Sequence, residues 1–417
     1  MSKTLIQNAA QIVTFKGARA KKGKAMRDLL VYEDAILVYE DDVILYVGTP
    51  ADCPIELTDA TVIDASNQLV MPGLVDSHTH LVFYQDRSLE FQMRLDDATY
   101  QDILKAGGGI HQSIAKTEKA SFNELYEQAA HYLAKMIAQG VTTVEAKSGY
   151  SSSFTGEVKQ MEVVHALNQA HDNMLVSTCL AAHVIPLQYQ DQPQVYLDMI
   201  KHELIPYIKK HKLAQFFDGF LEEDAYNADQ IRELFAVAKA AGFDLKLHCD
   251  EINDLNGAQL AAELGCVSAE HLLVSNDAGI QAMADQDVIA TLLPLTALSL
   301  KSDYARAKAM LDASCAIALA TDFNPGSCFS YSMPMLMALA TLQMDMDIKE
   351  VICGITLNGA AALKKADRIG TLEANKQADI AIFDCPTYVH LVYHMGINQC
   401  DTVIKNGKII YKSKERV

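Results

Sequence analysis

Between residues 69 and 320 the chain repeats one pattern eight times: a short apolar, strand-like run that leads into polar or ionisable residues. The runs fall at 69–75, 141–146, 174–182, 216–221, 244–248, 267–273, 288–293 and 316–320. Helical spacing of apolar residues at i, i+3, i+4 separates many of them, over 123–139, 227–241 and 255–264. Eight strands alternating with helices make the count of a (β/α)8 TIM barrel, an α/β fold expected here over residues 71–364. A doubly wound open sheet is the structural alternative, disfavoured because no glycine-rich phosphate loop follows the first run.

The two ends read differently. Runs rich in β-branched residues fall at 11–15, 35–39, 43–47 and 61–64, and again at 378–383 and 401–411, where Asn406-Gly407 signals a hairpin. One small β-sandwich built from residues 1–70 and 365–417 is expected beside the barrel. No apolar run approaches the ~18 residues of a membrane-spanning helix, and the first residues lack the basic-then-apolar order of a secretion signal. Nine scattered cysteines without a CxxC pair point to reduced thiols and a cytoplasmic location. A net charge of −18 argues against nucleic acid and anionic membranes as partners. It also means that an anionic substrate would need a cation inside its pocket.

In such a barrel the chemistry sits where the strands end. The first run ends in His78 and His80, which share a face because they are two residues apart. Alone, an HxH pair is more often two unrelated polar residues. The second run leads into Glu145, Lys147 and Gly149-Tyr150, the third into His183, the fourth into Glu222-Glu223. The fifth gives His248 with Glu251, the sixth His271 and the eighth Asp322. Five of thirteen histidines at these ends make a metal site the reading. His78, His80, His248 and Asp322 offer three imidazoles and a carboxylate to one zinc or iron ion, Zn(2+) or Fe(3+), with a position left for water. No lysine ends the fourth run to bridge a second metal, so one ion per subunit is expected. Glu251 is placed to carry a proton, or is a carboxylate at a helix start. His271 polarises a carbonyl or holds the attacking water, or is simply hydrogen-bonded in the barrel mouth. Cys249, beside His248, should turn to the opposite face and pack in the core.

PGLVDSHTH (72–80), HCDE (248–251), the following EH (270–271) and ATDFNPGS (320–327) resemble the amidohydrolase superfamily of metal-dependent barrels with a split β-sandwich. GTLEANKQADIAIFD (370–384) is similar to that superfamily's return to the sandwich. DRSLEFQMRL (86–95), AGGGI (106–110), VTTVEAKSGY (141–150), GAQLAAELGCVSAEHL (257–272) and the closing 386–407 resemble its imidazolonepropionase family. The likeness runs from about Gln68 to the C-terminus. It implies metal ligation by His78, His80, His248 and Asp322, and substrate contacts at Arg87, Tyr150, His183, Glu251, Asn324, Gly326 and Ser327. The implied reaction is hydrolysis of 4-imidazolone-5-propanoate to N-formimidoyl-L-glutamate, with Glu251 and His271 catalytic, in a homodimer.

Arg87 suits a carboxylate-bearing small molecule because its guanidinium can grip a carboxylate bidentately; the alternative is a salt bridge to Asp86 or Glu90. Tyr150 could instead be a core aromatic. Tyr84-Gln85, Ser151-Ser152 and the segment 296–311 depart from the family's usual residues and bear on the pocket lining. Two rivals stand beside this reading: a deaminase of the same superfamily acting on a heterocycle, and a non-catalytic barrel assembly protein. The second is disfavoured because all four ligand positions are filled.

Overall fold

The computed structural model describes residues 3–96, 108–172 and 174–413. Seven short strands come first: β1 (Lys3–Gln7), β2 (Gln11–Thr14), β3 (Leu30–Tyr32), β4 (Ile36–Glu40), β5 (Val43–Gly48), β6 (Thr61–Asp64) and β7 (Leu69–Pro72). The barrel strands follow: β8 (Leu74–Asp76), β9 (Val141–Lys147), β10 (Leu175–Ala182), β11 (Phe216–Leu221), β12 (Asp244–Cys249), β13 (Ser268–His271), β14 (Ile289–Leu292) and β15 (Ile317–Leu319). The chain closes with β16 (Ile380–Phe383), β17 (Cys400–Lys405) and β18 (Lys408–Lys412).

The eight barrel strands pair in sequence order, each parallel to the next. Closure of the ring lies just beyond the ends of its first and last strands. Asp322 donates its N–H to the His78 carbonyl at 3.0 Å, and His80 donates to the Phe323 carbonyl at 2.9 Å. One layer below, Asp76 accepts from the Thr321 amide at 3.0 Å and its hydroxyl at 2.7 Å. The seam that closes the barrel therefore also brings His78, His80 and Asp322 together.

The two chain ends form a four-stranded sheet, β5-β4-β1-β6, and a six-stranded sheet, β18-β17-β16-β7-β2-β3. Their inner faces share one core in which Ile6, Leu37 and Ile44 of the first sheet meet Ile12, Val70, Ile380 and Ile404 of the second. Asn406 and Gly407 both take positive φ in the turn between β17 and β18, as the Asn-Gly signal predicts.

The run expected at 69–75 is two strands rather than one. β7 pairs with β2 and β16 in the sandwich, whereas β8 opens the barrel. The switch occurs at Gly73, whose close approach to Thr142 leaves no room for a Cβ. Hydrophobicity is continuous across the switch because both halves are buried, so the pattern alone carries no boundary. β1 and β3 were not expected from the pattern. Among the described residues no helix is long and apolar enough to cross a membrane. All nine cysteines are free, eight of them buried. Cys249 lies in the core against Gly257, as strand alternation requires.

Candidate metal centre

His78, His80, His248, His271 and Asp322 come from the ends of four barrel strands and are all at most 3% exposed. Ligand atoms of His78, His80 and Asp322 lie within 4.8 Å of one another, as do those of His78, His248 and His271. The Nε2 atoms of His78 and His80 each stand 3.4 Å from Asp322 Oδ1.

Neighbours leave these donor atoms unused in a consistent way. His248 spends Nδ1 on Asp218 at 3.1 Å, and its buried Nε2 has no partner. Asp322 accepts the Thr296 hydroxyl on Oδ2 at 2.6 Å, leaving Oδ1 without a hydrogen bond. His78 sets Nδ1 against the Glu270 carboxylate, and its Nε2 is unpartnered. Buried polar atoms are seldom left without partners. Imidazoles fixed through one nitrogen by a carboxylate, with the other free, are the usual arrangement of metal-ligating histidine. The donor set thus fits a single cation. Protonation tells the same story: burial disfavours a charged His78, but Glu270 and Asp322 together outweigh it and raise the group to about 9. Burial lowers His80 to about 4. A carboxylate-rich pocket is drawing one positive charge toward these rings.

Beneath the rings lies a charged layer in which Glu145, Lys147 and the Glu270 of the EH motif are joined by Asp218 and Lys246, which no sequence motif marks. Lys147 contacts Asp218 at 2.7 Å, Glu145 at 3.0 Å and Glu270 at 3.1 Å. Lys246 contacts Glu145 at 3.1 Å and Glu270 at 3.2 Å. All five side chains are fully buried. Lys147 is held above its usual range, where burial opposes and Asp218, Glu145 and Glu270 prevail. The two lysines leave one of three carboxylate charges uncompensated, directly under the histidines. A signal for Asp218 and Lys246 did exist: ionisable residues at alternate positions of apolar strands, as in Lys246 and His248, face the barrel interior.

Around the rings, His80 stacks on His183 with centroids 5.1 Å apart, and Tyr150 lies 5.7 Å from His80 and 5.6 Å from His183. Tyr150 belongs to the buried apolar core, as the core-aromatic alternative expects, and also borders these rings; burial raises its hydroxyl above the usual range. Glu251 Oε1 stands 3.6 Å from His271 Nδ1. Burial, then Asp322 and Glu222, push Glu251 up to about 8 against the pull of His78. Its loop is fixed by Glu222, which accepts the amides of Ile252 at 3.1 Å and Asn253 at 3.2 Å and the Asn253 side chain at 2.8 Å. His271 has φ of 75°, an unusual value for a non-glycine residue and a form of strain that clusters at functional sites.

Arg87 and the segment 324–327 make one unit. The Arg87 amide donates to the Pro325 carbonyl at 2.9 Å, and its guanidinium lies directly on Gly326. Glu90 does approach Arg87, but only at 3.6 Å, and the buried Nε of Arg87 has no partner. Asn324 uses its amide within its own loop, donating to the Asp322 carbonyl at 2.7 Å and Ser327 Oγ at 2.8 Å, and accepting from Gly326 and Cys328. It shapes the loop that carries Gly326 and Ser327.

A cavity of about 1000 Å³ opens from this region, with His183, Phe220, Glu222 and Asn253 on one side and the helix Ile110–Lys119 on the other. Lys116 and Lys119 give that helix a basic face toward the cavity. Residues 106–107 of the AGGGI stretch lie outside the described residues.

The amidohydrolase family profile matches residues 69–410. Among curated proteins, the chain is 45% identical to an imidazolonepropionase of Clostridium tetani, covering 98% of each chain. It is 44% identical to one of Porphyromonas gingivalis over 97% of each. Solved structures with the same fold include an adenosine deaminase from Xanthomonas campestris with bound zinc, at TM-score 0.72 and 21% identity, covering 100% of this chain and 94% of that one. Another is an atrazine chlorohydrolase mutant from Arthrobacter aurescens complexed with zinc and atraton, at TM-score 0.75 and 16% identity, covering 98% and 95%. Fold and site together define a metal-dependent hydrolase of the amidohydrolase family. Within it, the chain belongs to the imidazolonepropionases.

Proposed function

We propose that the protein hydrolyses 4-imidazolone-5-propanoate to N-formimidoyl-L-glutamate. The observation that carries this reading is Arg87, a partly buried cation seated on Gly326 in the loop that follows Asp322, in a protein otherwise strongly acidic. It suits a heterocycle that bears a carboxylate, and it disfavours an uncharged purine or pyrimidine.

His78, His80, His248 and Asp322 would hold one zinc or iron ion, whose Lewis acidity makes water a competent nucleophile near neutral pH. Glu251 takes a proton from the attacking water as its oxygen bonds to the ring carbonyl carbon. His271 donates to the oxygen on which negative charge develops. The carbon–nitrogen bond then breaks, and Glu251 returns its proton to the departing nitrogen. Arg87 binds the propanoate, with Ser327 and the backbone at Gly326 beside it. Tyr150 and His183 flank the ring. Freshly prepared imidazolone propanoate should be consumed with formation of N-formimidoyl-glutamate by metal-loaded protein; ammonia release from an aminated heterocycle instead would favour the deaminase.

A further inference from the structure

At the N-terminal end of the barrel strands, opposite the histidines, the seam with the sandwich encloses a second cavity of about 590 Å³. Apart from Leu175 and Ile369 its lining is charged, amide or hydroxyl. Four cations line it, Lys365, Arg368, Lys405 and Lys408, against two carboxylates, Asp42 and Asp172. That balance runs against the net charge of −18 of the whole chain.

Two of these cations are already satisfied: Lys405 by Asp379 at 2.7 Å and Lys408 by Asp172 at 3.0 Å. The other two are not. Lys365 is partly buried and its ammonium has no ion pair among the described residues; burial, then Arg368 and Lys405, lower it. Among the described residues the Arg368 side chain makes one hydrogen bond, to the Gln377 side-chain oxygen at 3.4 Å. Independently, Thr143 of β9, 1% exposed, lines the same cavity with a hydroxyl that has no hydrogen-bond partner. An ammonium with no ion pair, a forked guanidinium with one long hydrogen bond and a hydroxyl without a partner match the three terminal oxygens of a doubly charged anion. The cavity is far larger than the ~30 Å³ share of one water, so it has room for a polar body attached to the anion. Asn168 and Gln377 line the space for it.

We propose that this seam cavity binds a small polar phosphate monoester, with Lys365 and Arg368 contacting the phosphate and Thr143 donating its hydroxyl. The ligand would join residues of the barrel to those of the sandwich and stabilise the folded protein by mass action.

The whole protein would be titrated calorimetrically, and its thermal unfolding followed, with a pentose phosphate and with inorganic phosphate in separate arms. Lys365→Met and Arg368→Gln would be run in parallel, with hydrolytic turnover as the control for folding. The pentose phosphate should bind at millimolar concentration or tighter and raise the melting temperature. Each variant should weaken binding by about tenfold, the loss expected of one charge-assisted contact, with turnover unchanged. Absence of pentose phosphate binding at millimolar concentration, binding by both variants as tight as that of the native protein, or inorganic phosphate binding as tightly as the monoester would each overturn the proposal.

Discussion

The guanidinium of Arg87 rests on the backbone of Gly326 so closely that a Cβ at residue 326 would overlap it. Gly326 has no positive φ to explain it, so the glycine is there for space rather than backbone freedom. Gly326→Ala must push the guanidinium off its seat while leaving His78, His80, His248 and Asp322 in place. Steady-state kinetics should show KM raised by about tenfold or more, since a charge-assisted bidentate contact is lost, with unchanged metal content. An unaltered KM would remove Arg87 from substrate binding.

Glu222 raises Glu251 through its charge while fixing the loop that carries it. Glu222→Gln removes the charge, so Glu251 should deprotonate at lower pH. The acid limb of the kcat/KM profile, which reports the free enzyme's base, should move down by about one unit or less. An upward move would contradict Glu251 as the base.

Glu157 is a second buried carboxyl, on the helix Phe154–Ala170; burial, opposed by hydrogen bonds from Ser148, Gly149 and Gln160, pushes it up to about 7. In the unfolded chain it releases its proton near 4.5. Between those values the unfolded state binds fewer protons, so this group's contribution to stability is full below about 4.5, falls as pH rises, and is gone above about 7. Glu157→Gln should therefore flatten the pH dependence and stabilise the protein at pH 8 by roughly 3 kcal/mol, with little gain near pH 4.5. Denaturant unfolding at the two pH values checks this.

Ser151 and Ser152, two of the departures noted in the sequence, find a use in the fold. Together with Ser153 they give four hydrogen bonds of 2.9–3.0 Å to the Glu118 carboxylate. That clamp ties the basic helix over the cavity to the loop carrying Tyr150. Glu118→Ala should raise KM by several-fold with kcat little changed, and speed amide exchange in the helix Ile110–Lys119, whereas Glu118→Gln should recover part of both.

What could be read in advance follows the physics of each part. The barrel strands were legible because buried parallel strands make continuous apolar runs, and His78, His248 and His271 interrupt those runs with polar groups. The β7–β8 switch was not, since Val70 and Val75 are equally buried on its two sides and nothing in hydrophobicity separates them. Asp218 and Lys246 are hard to place from sequence because a charge inside a strand looks like a solvent-facing residue until closure of the barrel turns that face inward. Arg87 and Gly326 lie 239 positions apart, and no local pattern shows that one explains the other.

The central claim is that Glu251 moves the proton in metal-assisted hydrolysis of a carboxylate-bearing ring. Its most direct test is turnover of imidazolone propanoate by the native protein and by Glu251→Gln, at matched metal content. The native protein should form N-formimidoyl-glutamate and the variant should lose about 10²–10⁴ in kcat while keeping its metal. Full turnover by the metal-loaded variant would contradict the account.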